Sequence, residues 1–248
     1  MEKDIYEKIE KLFKLWRDGK LGGEKMPEDD NPHLVSSSKE NYSYFTLPMA
    51  LNYQRNSYTL WESALKTYED AQTKFVFNPK EVVKRNYEEI QTALVKYRLA
   101  IQMNKQTDIW IRICKTIVED FDGDIRKMFA INNYDVEKIK EYVQVKNKKN
   151  FPYLSGKKLC NYWLFVLHQY TDIKLKNLNM IDIATDTHII KSTHRLGLID
   201  ENQLNDSKVQ DIVIKAWREI LKGSKYSPID IQTALWLWSR DGFKQLLK

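Results

Sequence analysis

The residues of this chain that could carry out covalent chemistry lie in two short segments of its second half. The first segment contains Gly156, Lys157 and Lys158, and the second contains Asp186 followed by Thr187. A neutral lysine amine is a nucleophile that forms Schiff bases, and a carboxylate can stabilise positive charge that develops on a carbon atom. A lysine and an acid in this pattern indicate an enzyme that works through a covalent intermediate.

The lysine segment predicts a tight turn that leads into a helix. Gly156 can adopt backbone angles that other residues avoid, so we expect it to form the turn of a short hairpin over residues 151–161. The N–H groups at the start of the following helix point outward and can bind a phosphate. We expect Lys158 to be partly buried at this positive helix end, since both features favour a neutral amine. Lys157 is a rival nucleophile, but it lies about 100° away around the helix.

Asp186 has a structural interpretation as well as a catalytic one. It precedes Thr187-His188, where a helix is predicted to begin, and an acid at that position commonly caps the helix, which contributes about 1 kcal/mol. The two roles are compatible, because a capping carboxylate carries the negative charge that a stabilising role requires.

Two sequence stretches resemble a known family: FPYLSGKKLCNYWL at 151–164 and IATDTHIIKSTHRLGL at 183–198. They resemble the helix-hairpin-helix DNA glycosylase superfamily, in which a hairpin ends in Gly-x-Lys and a later helix begins with Asp-Thr-His. The resemblance places the Schiff-base lysine of the family on Lys158 and its catalytic aspartate on Asp186. It extends over about residues 43–200.

Three departures from the family pattern indicate which subgroup of the family the sequence resembles most. The hairpin is one residue longer than usual and carries Tyr153 and Ser155 where glycines are common, so its contact with phosphate is expected to differ. Extra residues separate the two motifs, within 171–182, and the cysteine cluster of the iron–sulfur members is absent. These features are most similar to those of the archaeal 8-oxoguanine glycosylases.

The resemblance implies an all-α, two-lobed fold with a helix-hairpin-helix motif and a cleft between the lobes. It implies a DNA repair N-glycosylase with associated AP lyase activity that excises 8-oxoguanine from double-stranded DNA and needs no cofactor. The damaged nucleotide would be flipped out of the duplex, Lys158 would attack the sugar C1′, and Asp186 would assist. Contacts to the DNA are expected from Tyr153, Ser155, Gly156 and Lys157.

Residues outside the two motifs add candidates for base and DNA binding. An early segment lies where family members carry a glutamine near the pocket, so Gln54 is expected to bind the flipped base and Asn52 and Arg55 the DNA. Near the C-terminus, Trp236 is expected to stack on a base, and Asp230 to cap its helix or contact a purine. An ordinary structural role at a helix end, in the core or at a cap remains the alternative for each.

Composition and residue spacing restrict the classes of protein to which this chain can belong. The 248 residues carry a net charge of +6 with a pI near 9.0, which suits a polyanionic partner but also an ordinary Lys-rich surface. The two cysteines, Cys114 and Cys160, form no Cys/His cluster that predicts a zinc or iron–sulfur site. His188 and His194 do not share a helix face, so a metal pair is not expected. No apolar run approaches about 20 residues, so we expect no membrane span. The protein is expected to be intracellular and cytoplasmic and to act as a monomer.

Apolar spacing predicts a mostly helical chain in two parts. Residues 1–42 are expected to form one amphipathic helix and a polar connection, with Glu28 and its acidic neighbours in a loop. Residues 43–248 are expected to form the helical core in two interleaved lobes. Helices are predicted from near Pro48 through Leu65 and at 80–103, 107–120, 125–130, 135–145, 158–170, 186–197, 206–221 and 228–246.

Two alternatives to this function stay open. The first is a glycosylase for another damaged base, an oxidised pyrimidine or an alkylated base, because the residues that would line the base pocket are far apart in the sequence. The second is a non-catalytic helix-hairpin-helix module that binds DNA. The presence of both Lys158 and Asp186 argues against the second alternative, because phosphate binding needs neither residue at these positions.

Overall fold

The computed structural model describes residues 2–22 and 25–247, and these residues form helices and connecting turns. The α-helices are α1 Glu2–Arg17, α2 Lys39–Thr46, α3 Ser57–Glu69, α4 Pro79–Val82, α5 Tyr87–Lys96, α6 Met103–Phe121, α7 Arg126–Ile131, α8 Val136–Glu141, α9 Lys157–Tyr170, α10 Thr187–Arg195, α11 Glu201–Leu204, α12 Val209–Ile220 and α13 Pro228–Arg240. Within the described ranges no strand forms, and one isolated β-bridge pairs Asp135 with Lys176. The prediction of an all-α fold is confirmed.

The chain divides into two compact units that do not follow its linear order. One unit combines Met1–Lys25 with Leu178–Lys248, and the other consists of Met26–Asn177. We call them the terminal unit and the central unit. The predicted boundary at residue 42 falls within α2 of the central unit.

The core of the central unit contains large aromatic side chains, among them two tryptophans whose indole N–H groups are hydrogen bonded. Trp110 and Trp163 are fully buried. The Trp110 indole N–H donates to the carbonyl oxygen of Val76 at 2.9 Å, and that of Trp163 donates to the Thr46 hydroxyl at 3.1 Å. A buried indole keeps its large apolar contact at little cost when its one donor finds a partner.

The terminal unit is built around α13, against which α1 and α10 both pack. Along α10, the Ser192 hydroxyl donates to the carbonyl oxygen of Leu235 at 2.8 Å, and the Trp217 indole N–H donates to the Thr193 hydroxyl at 2.9 Å. These buried bonds fix α10 to its two neighbouring helices. The start of α10 is therefore held by a rigid frame.

The helix predicted over residues 48–65 is wrong at its centre. A 3-10 turn covers 48–51, and α3 begins only after Asn56, whose side-chain oxygen accepts the N–H of Tyr58 at 2.9 Å. Between them Gln54 takes a left-handed φ of 49°. A non-glycine residue in that region interrupts a helix, and the asparagine cap starts the next one.

The single long helix predicted over residues 80–103 is also wrong. α5 begins after Asn86, which accepts the backbone N–H of Glu89 at 2.9 Å while the Glu89 carboxylate accepts the N–H of Asn86 at 3.2 Å. This capping box separates α5 from α4. At the other end, Arg98 takes a left-handed φ of 60° and separates α5 from α6.

The last helix is shorter than the predicted 228–246. α13 ends at Arg240 because Gly242 and Phe243 adopt left-handed φ angles of 71° and 59°. The Trp238 indole N–H donates to the carbonyl oxygen of Gln245 at 2.9 Å, so the segment after α13 folds back onto the helix. In the described ranges no helix combines the length and the apolar character needed to cross a bilayer.

Candidate active site

The lysine segment lies in a connection between two helices of the central unit. α8 continues as a π-helical turn over Tyr142–Lys146, and α9 begins at Lys157. Two backbone bonds close the connection at its end: the N–H of Ser155 donates to the carbonyl oxygen of Phe151, and that of Gly156 to that of Tyr153, both at 2.9 Å. Phe151 is fully buried, so the turn is anchored in the core on one side.

Glycine at position 156 serves a different purpose from the one predicted. Its φ of −68° is an ordinary extended value, and the left-handed residue of the turn is Tyr153, with a φ of 63°. A Cβ atom added at Gly156 would lie 3.1 Å from the carbonyl oxygen of Tyr153. Glycine is therefore favoured by the close approach of the two backbone segments rather than by its freedom of rotation.

Both lysines at the start of α9 are exposed, so the expected partial burial of Lys158 is wrong. The helix turns Leu159 and Cys160 toward the core, and this orientation directs the first residues of α9 to solvent. Within the described part of the chain, the Lys158 amino group has no hydrogen-bond or ion-pair partner. Gly156 provides no side-chain cap, so the first N–H groups of α9 have no side-chain acceptor from that position.

Tyr153 links the connection before α9, which was predicted to be a hairpin, to the early segment that the sequence predicts to contact DNA. Its ring stacks on that of Tyr53 with centroids 3.8 Å apart and an interplanar angle of 10°. The Lys105 amino group lies 5.0 Å from the Tyr153 ring centroid and lowers the pKa of the Tyr153 phenol through a hydrogen bond. Two segments that are distant in sequence, the 52–55 turn and the hairpin, therefore meet on one side of the central unit.

The three candidates in that early turn are placed differently from one another. Asn52 is buried, and its side-chain Oδ1 atom accepts the Ser57 hydroxyl at 2.9 Å. The Arg55 guanidinium donates to the carbonyl oxygen of Leu99 at 2.8 Å, and burial lowers the pKa of Arg55 to about 10. Gln54 is exposed. Asn52 and Arg55 thus stabilise the turn, and their predicted contacts with DNA stay predictions.

The second candidate segment lies at the start of α10 in the terminal unit. Asp186 caps that helix: its Oδ1 atom accepts the backbone N–H groups of His188 and Ile189, each at 2.9 Å. Its Oδ2 atom accepts the indole N–H of Trp236 at 3.0 Å. Both carboxylate oxygens are therefore held, and the structure brings together two residues that the sequence offered as separate candidates.

The neighbours of Trp236 hold the indole ring in place. The His188 ring meets it edge-on with centroids 5.3 Å apart, and the Arg240 guanidinium lies 5.4 Å from its centroid. His188 Nδ1 lies 3.1 Å from the Ser239 hydroxyl. Burial lowers the pKa of His188, although the charge of Asp186 opposes the change. The ring of Trp236 itself is 8% exposed.

Two further residues have clear structural roles. Asp230 completes a capping box at the start of α13, where its carboxylate accepts the N–H of Ser227 at 2.7 Å, in agreement with the capping role considered for it. Ser155 is buried within the hairpin, and its hydroxyl lies 3.4 Å from the carbonyl oxygen of Lys148. Binding of a purine by Asp230 and of DNA by Ser155 stay predictions.

Glu28 is a buried carboxylate that the sequence did not reveal. It was assigned to an exposed polar connection, but it is 1% exposed, and its Oε1 atom accepts the Trp61 indole N–H at 2.8 Å. Burial raises the pKa of Glu28 to about 7, against hydrogen bonds from Tyr162, its own N–H and Trp61. Its place beside Asp29 in an acidic run resembled a solvated loop, and no local pattern distinguishes it.

Comparison with known proteins assigns no family. No family model matches the chain, and no curated protein matches it.

These observations place the two catalytic candidates in different units. Lys158 lies at the start of α9 in the central unit, and Asp186 lies at the start of α10 in the terminal unit. Among the described residues, no group of three or more His, Cys, Asp or Glu side chains is arranged to hold a metal ion. An exposed amine and a fixed carboxylate can supply a nucleophile and a charge-stabilising group.

Proposed function

We propose that this protein is a DNA repair N-glycosylase with an associated AP lyase activity, which excises 8-oxoguanine from double-stranded DNA. The observation that carries the proposal is the exposed Lys158 in the first turn of α9, directly after a tight connection that ends in Gly156. An amine in that place can reach a ligand whose phosphate rests on the N–H groups of the same helix end. Asp186 supplies the second group that the chemistry requires.

The proposed reaction begins when the damaged nucleotide is flipped out of the duplex. The amine of Lys158 forms a bond to the sugar C1′ while the bond from C1′ to the base breaks, and the departing base takes up the proton that the new ammonium group releases. Asp186 stabilises the positive charge on the sugar in this step. The sugar ring then opens to a Schiff base as a proton moves from the adduct nitrogen to O4′. Water takes a proton from C2′, the bond from C3′ to the phosphate oxygen breaks, and the strand is cut on the 3′ side with the phosphate as the leaving group.

In this proposal the protein binds DNA through the start of α9 and through its overall positive charge. The N–H groups at the start of α9 and the Lys157 amine would contact a phosphate, and the net charge of +6 favours association with a polyanion. Gln54, Trp236 and Asp230 remain proposed contacts of the base, and Tyr153 of the DNA. We further propose that the protein acts as a cytoplasmic monomer and that catalysis needs no cofactor.

The decisive experiment traps the covalent intermediate with borohydride. Wild type, Lys158→Gln and Lys157→Gln are each incubated with a labelled duplex that contains one 8-oxoguanine, and the adducts are separated by denaturing electrophoresis. Lys157→Gln removes the same charge one residue away on the same helix turn and tests the rival nucleophile. Because Lys157 is also a proposed phosphate contact, the three proteins are compared at concentrations that saturate binding to the duplex. We expect an adduct with wild type and with Lys157→Gln, and none with Lys158→Gln.

Other outcomes decide between the alternatives. An adduct on an abasic-site duplex but not on 8-oxoguanine would keep the mechanism and replace the substrate, in favour of an oxidised pyrimidine or an alkylated base. Loss of the adduct in Lys157→Gln instead would move the nucleophile by one residue. If wild type binds the duplex but forms no adduct on either substrate, the Schiff-base mechanism is refuted and the non-catalytic DNA-binding module is favoured.

A further inference from the structure

We propose that Trp236 is a positioning residue for Asp186, and that its indole N–H fixes the carboxylate in the orientation used for catalysis. This inference rests on the proposed function, because it assigns Trp236 a part in the same reaction. It is separate from the base-stacking role proposed for Trp236, because it uses the indole N–H toward the carboxylate, whereas stacking would use the face of the ring.

Three N–H donors surround the carboxylate of Asp186. The two backbone N–H groups of α10 both bind the Oδ1 atom of Asp186. Those bonds satisfy the helix end through one oxygen and place no donor on the other. The bond from Trp236 to Oδ2, at 3.0 Å, adds a fixed point on the second oxygen. A carboxylate held at both oxygens has one orientation.

The indole group is suited to this task because it only donates. It cannot accept a hydrogen bond, so it cannot pair with a protonated carboxyl group as an acceptor, as an amide oxygen or a hydroxyl could. A hydrogen bond to a charged acceptor contributes more than one between neutral groups. The indole N–H therefore stabilises the ionised carboxylate and offers nothing to a protonated one.

The indole is itself held by its surroundings. The ring is 8% exposed and lies in α13, the helix that packs against α10. His188 contacts its edge and Arg240 lies over the ring, while Ser239 holds His188 on the far side. A donor in a packed ring cannot follow a carboxylate that moves, so the geometry is set before substrate arrives.

The test removes the N–H group and leaves the shape of the ring. Trp236 is replaced by 3-benzothienylalanine, in which sulfur takes the place of the indole N–H. Release of 8-oxoguanine is then measured under single-turnover conditions, together with the dissociation constant for the duplex. We expect the rate to fall about 10- to 100-fold, from the loss of one hydrogen bond to a charged group. The dissociation constant should change less than about threefold.

Trp238 provides the matched control. It lies two residues further along α13, and its indole N–H also makes one hydrogen bond, to the carbonyl oxygen of Gln245 at 2.9 Å. The same replacement at Trp238 removes a bond of similar length from the same helix without touching Asp186. We expect its rate of base release to stay within about twofold of wild type.

A spectroscopic measurement separates this inference from the proposed function. In wild type the Trp236 indole proton should resonate downfield and exchange slowly, and in Asp186→Asn it should move upfield, because asparagine caps α10 but offers a neutral acceptor. If wild type releases no base, the proposed function fails, and the indole resonance alone decides whether the contact exists. An unmoved resonance in Asp186→Asn, or base release at the wild-type rate with benzothienylalanine at 236, overturns the positioning role.

Discussion

The buried carboxylate of Glu28 predicts that the central unit loses stability as the pH rises. Glu28 is 1% exposed, and burial raises its pKa from 4.5 to about 7 in the folded protein. The folded state therefore binds the proton more tightly than the unfolded state does. Stability from this group is fully present below about pH 4.5 and is lost as the pH rises toward 7, where the folded protein also releases the proton.

The size of the effect follows from the difference between the two pKa values. A difference of about 2.5 pH units corresponds to about 3 kcal/mol, at 1.36 kcal/mol per unit. The hydrogen bonds from Trp61 and Tyr162 are already included, because they oppose the effect of burial on the pKa. Nearby Asp29 adds to the effect by disfavouring a second negative charge.

The substitution Glu28→Gln removes the titrating group and keeps its shape. Its amide oxygen can still accept the Trp61 N–H, so folding at pH 5 should change little. At pH 8.5 the variant should be more stable than wild type by about 3 kcal/mol. The free energy of unfolding is measured by urea titration, followed by tryptophan fluorescence, from pH 4.5 to pH 9.

The exposed Glu62 supplies the control for this comparison. Glu62→Gln makes the same chemical change on α3, where Glu62 pairs with Lys66 at 2.6 Å on the surface. We expect that variant to differ from wild type by less than about 1 kcal/mol at any pH. A difference between Glu28→Gln and wild type that is constant with pH, or that grows toward acid, would refute the reasoning.

Other substitutions test the hairpin and the core. Tyr153→Gly places a glycine at a left-handed φ, whereas Tyr153→Ala keeps the conformational cost of a non-glycine residue there. Both variants lose the stack on Tyr53. Urea unfolding should therefore show the alanine variant less stable than the glycine variant by about 1 kcal/mol. Equal midpoints would contradict the assigned backbone strain. Burial raises the pKa of Cys160 to about 12 and raises that of Cys114 further, so neither thiol should react with Ellman's reagent in native protein at pH 8. Both should react in denaturant, and a fast thiol in the native protein would place one of them at the surface.

Local patterns in the sequence determined the helical class and most helix positions. The segments predicted near 135–145, 158–170, 186–197 and 206–221 agree with α8 and its π-helical turn, α9, α10 and α12 to within a few residues. Asp186 was identified as a cap because the signal for a helix start is contained in neighbouring residues. Interactions between close neighbours are visible in sequence because they depend on spacing alone.

Long predicted helices failed where single residues interrupted them. The pattern of apolar residues continues from 80 to 103, but the Asn86 capping box and the left-handed Arg98 divide the segment. Similarly, the turn residue of the hairpin is Tyr153 and not Gly156. The spacing of apolar residues indicates which face of a helix is buried. It does not reveal a break in the helix when the apolar residues on both sides of the break still point toward the core.

Tertiary structure alone decided which distant residues meet. The bond from Trp236 to Asp186 and the stack of Tyr53 on Tyr153 join residues that no local pattern relates. Glu28 became a buried, proton-binding carboxylate because the chain packs Trp61 and Tyr162 against it. A pKa and a fixed carboxylate both depend on the full set of neighbours in space, whereas the sequence specifies only the neighbours along the chain.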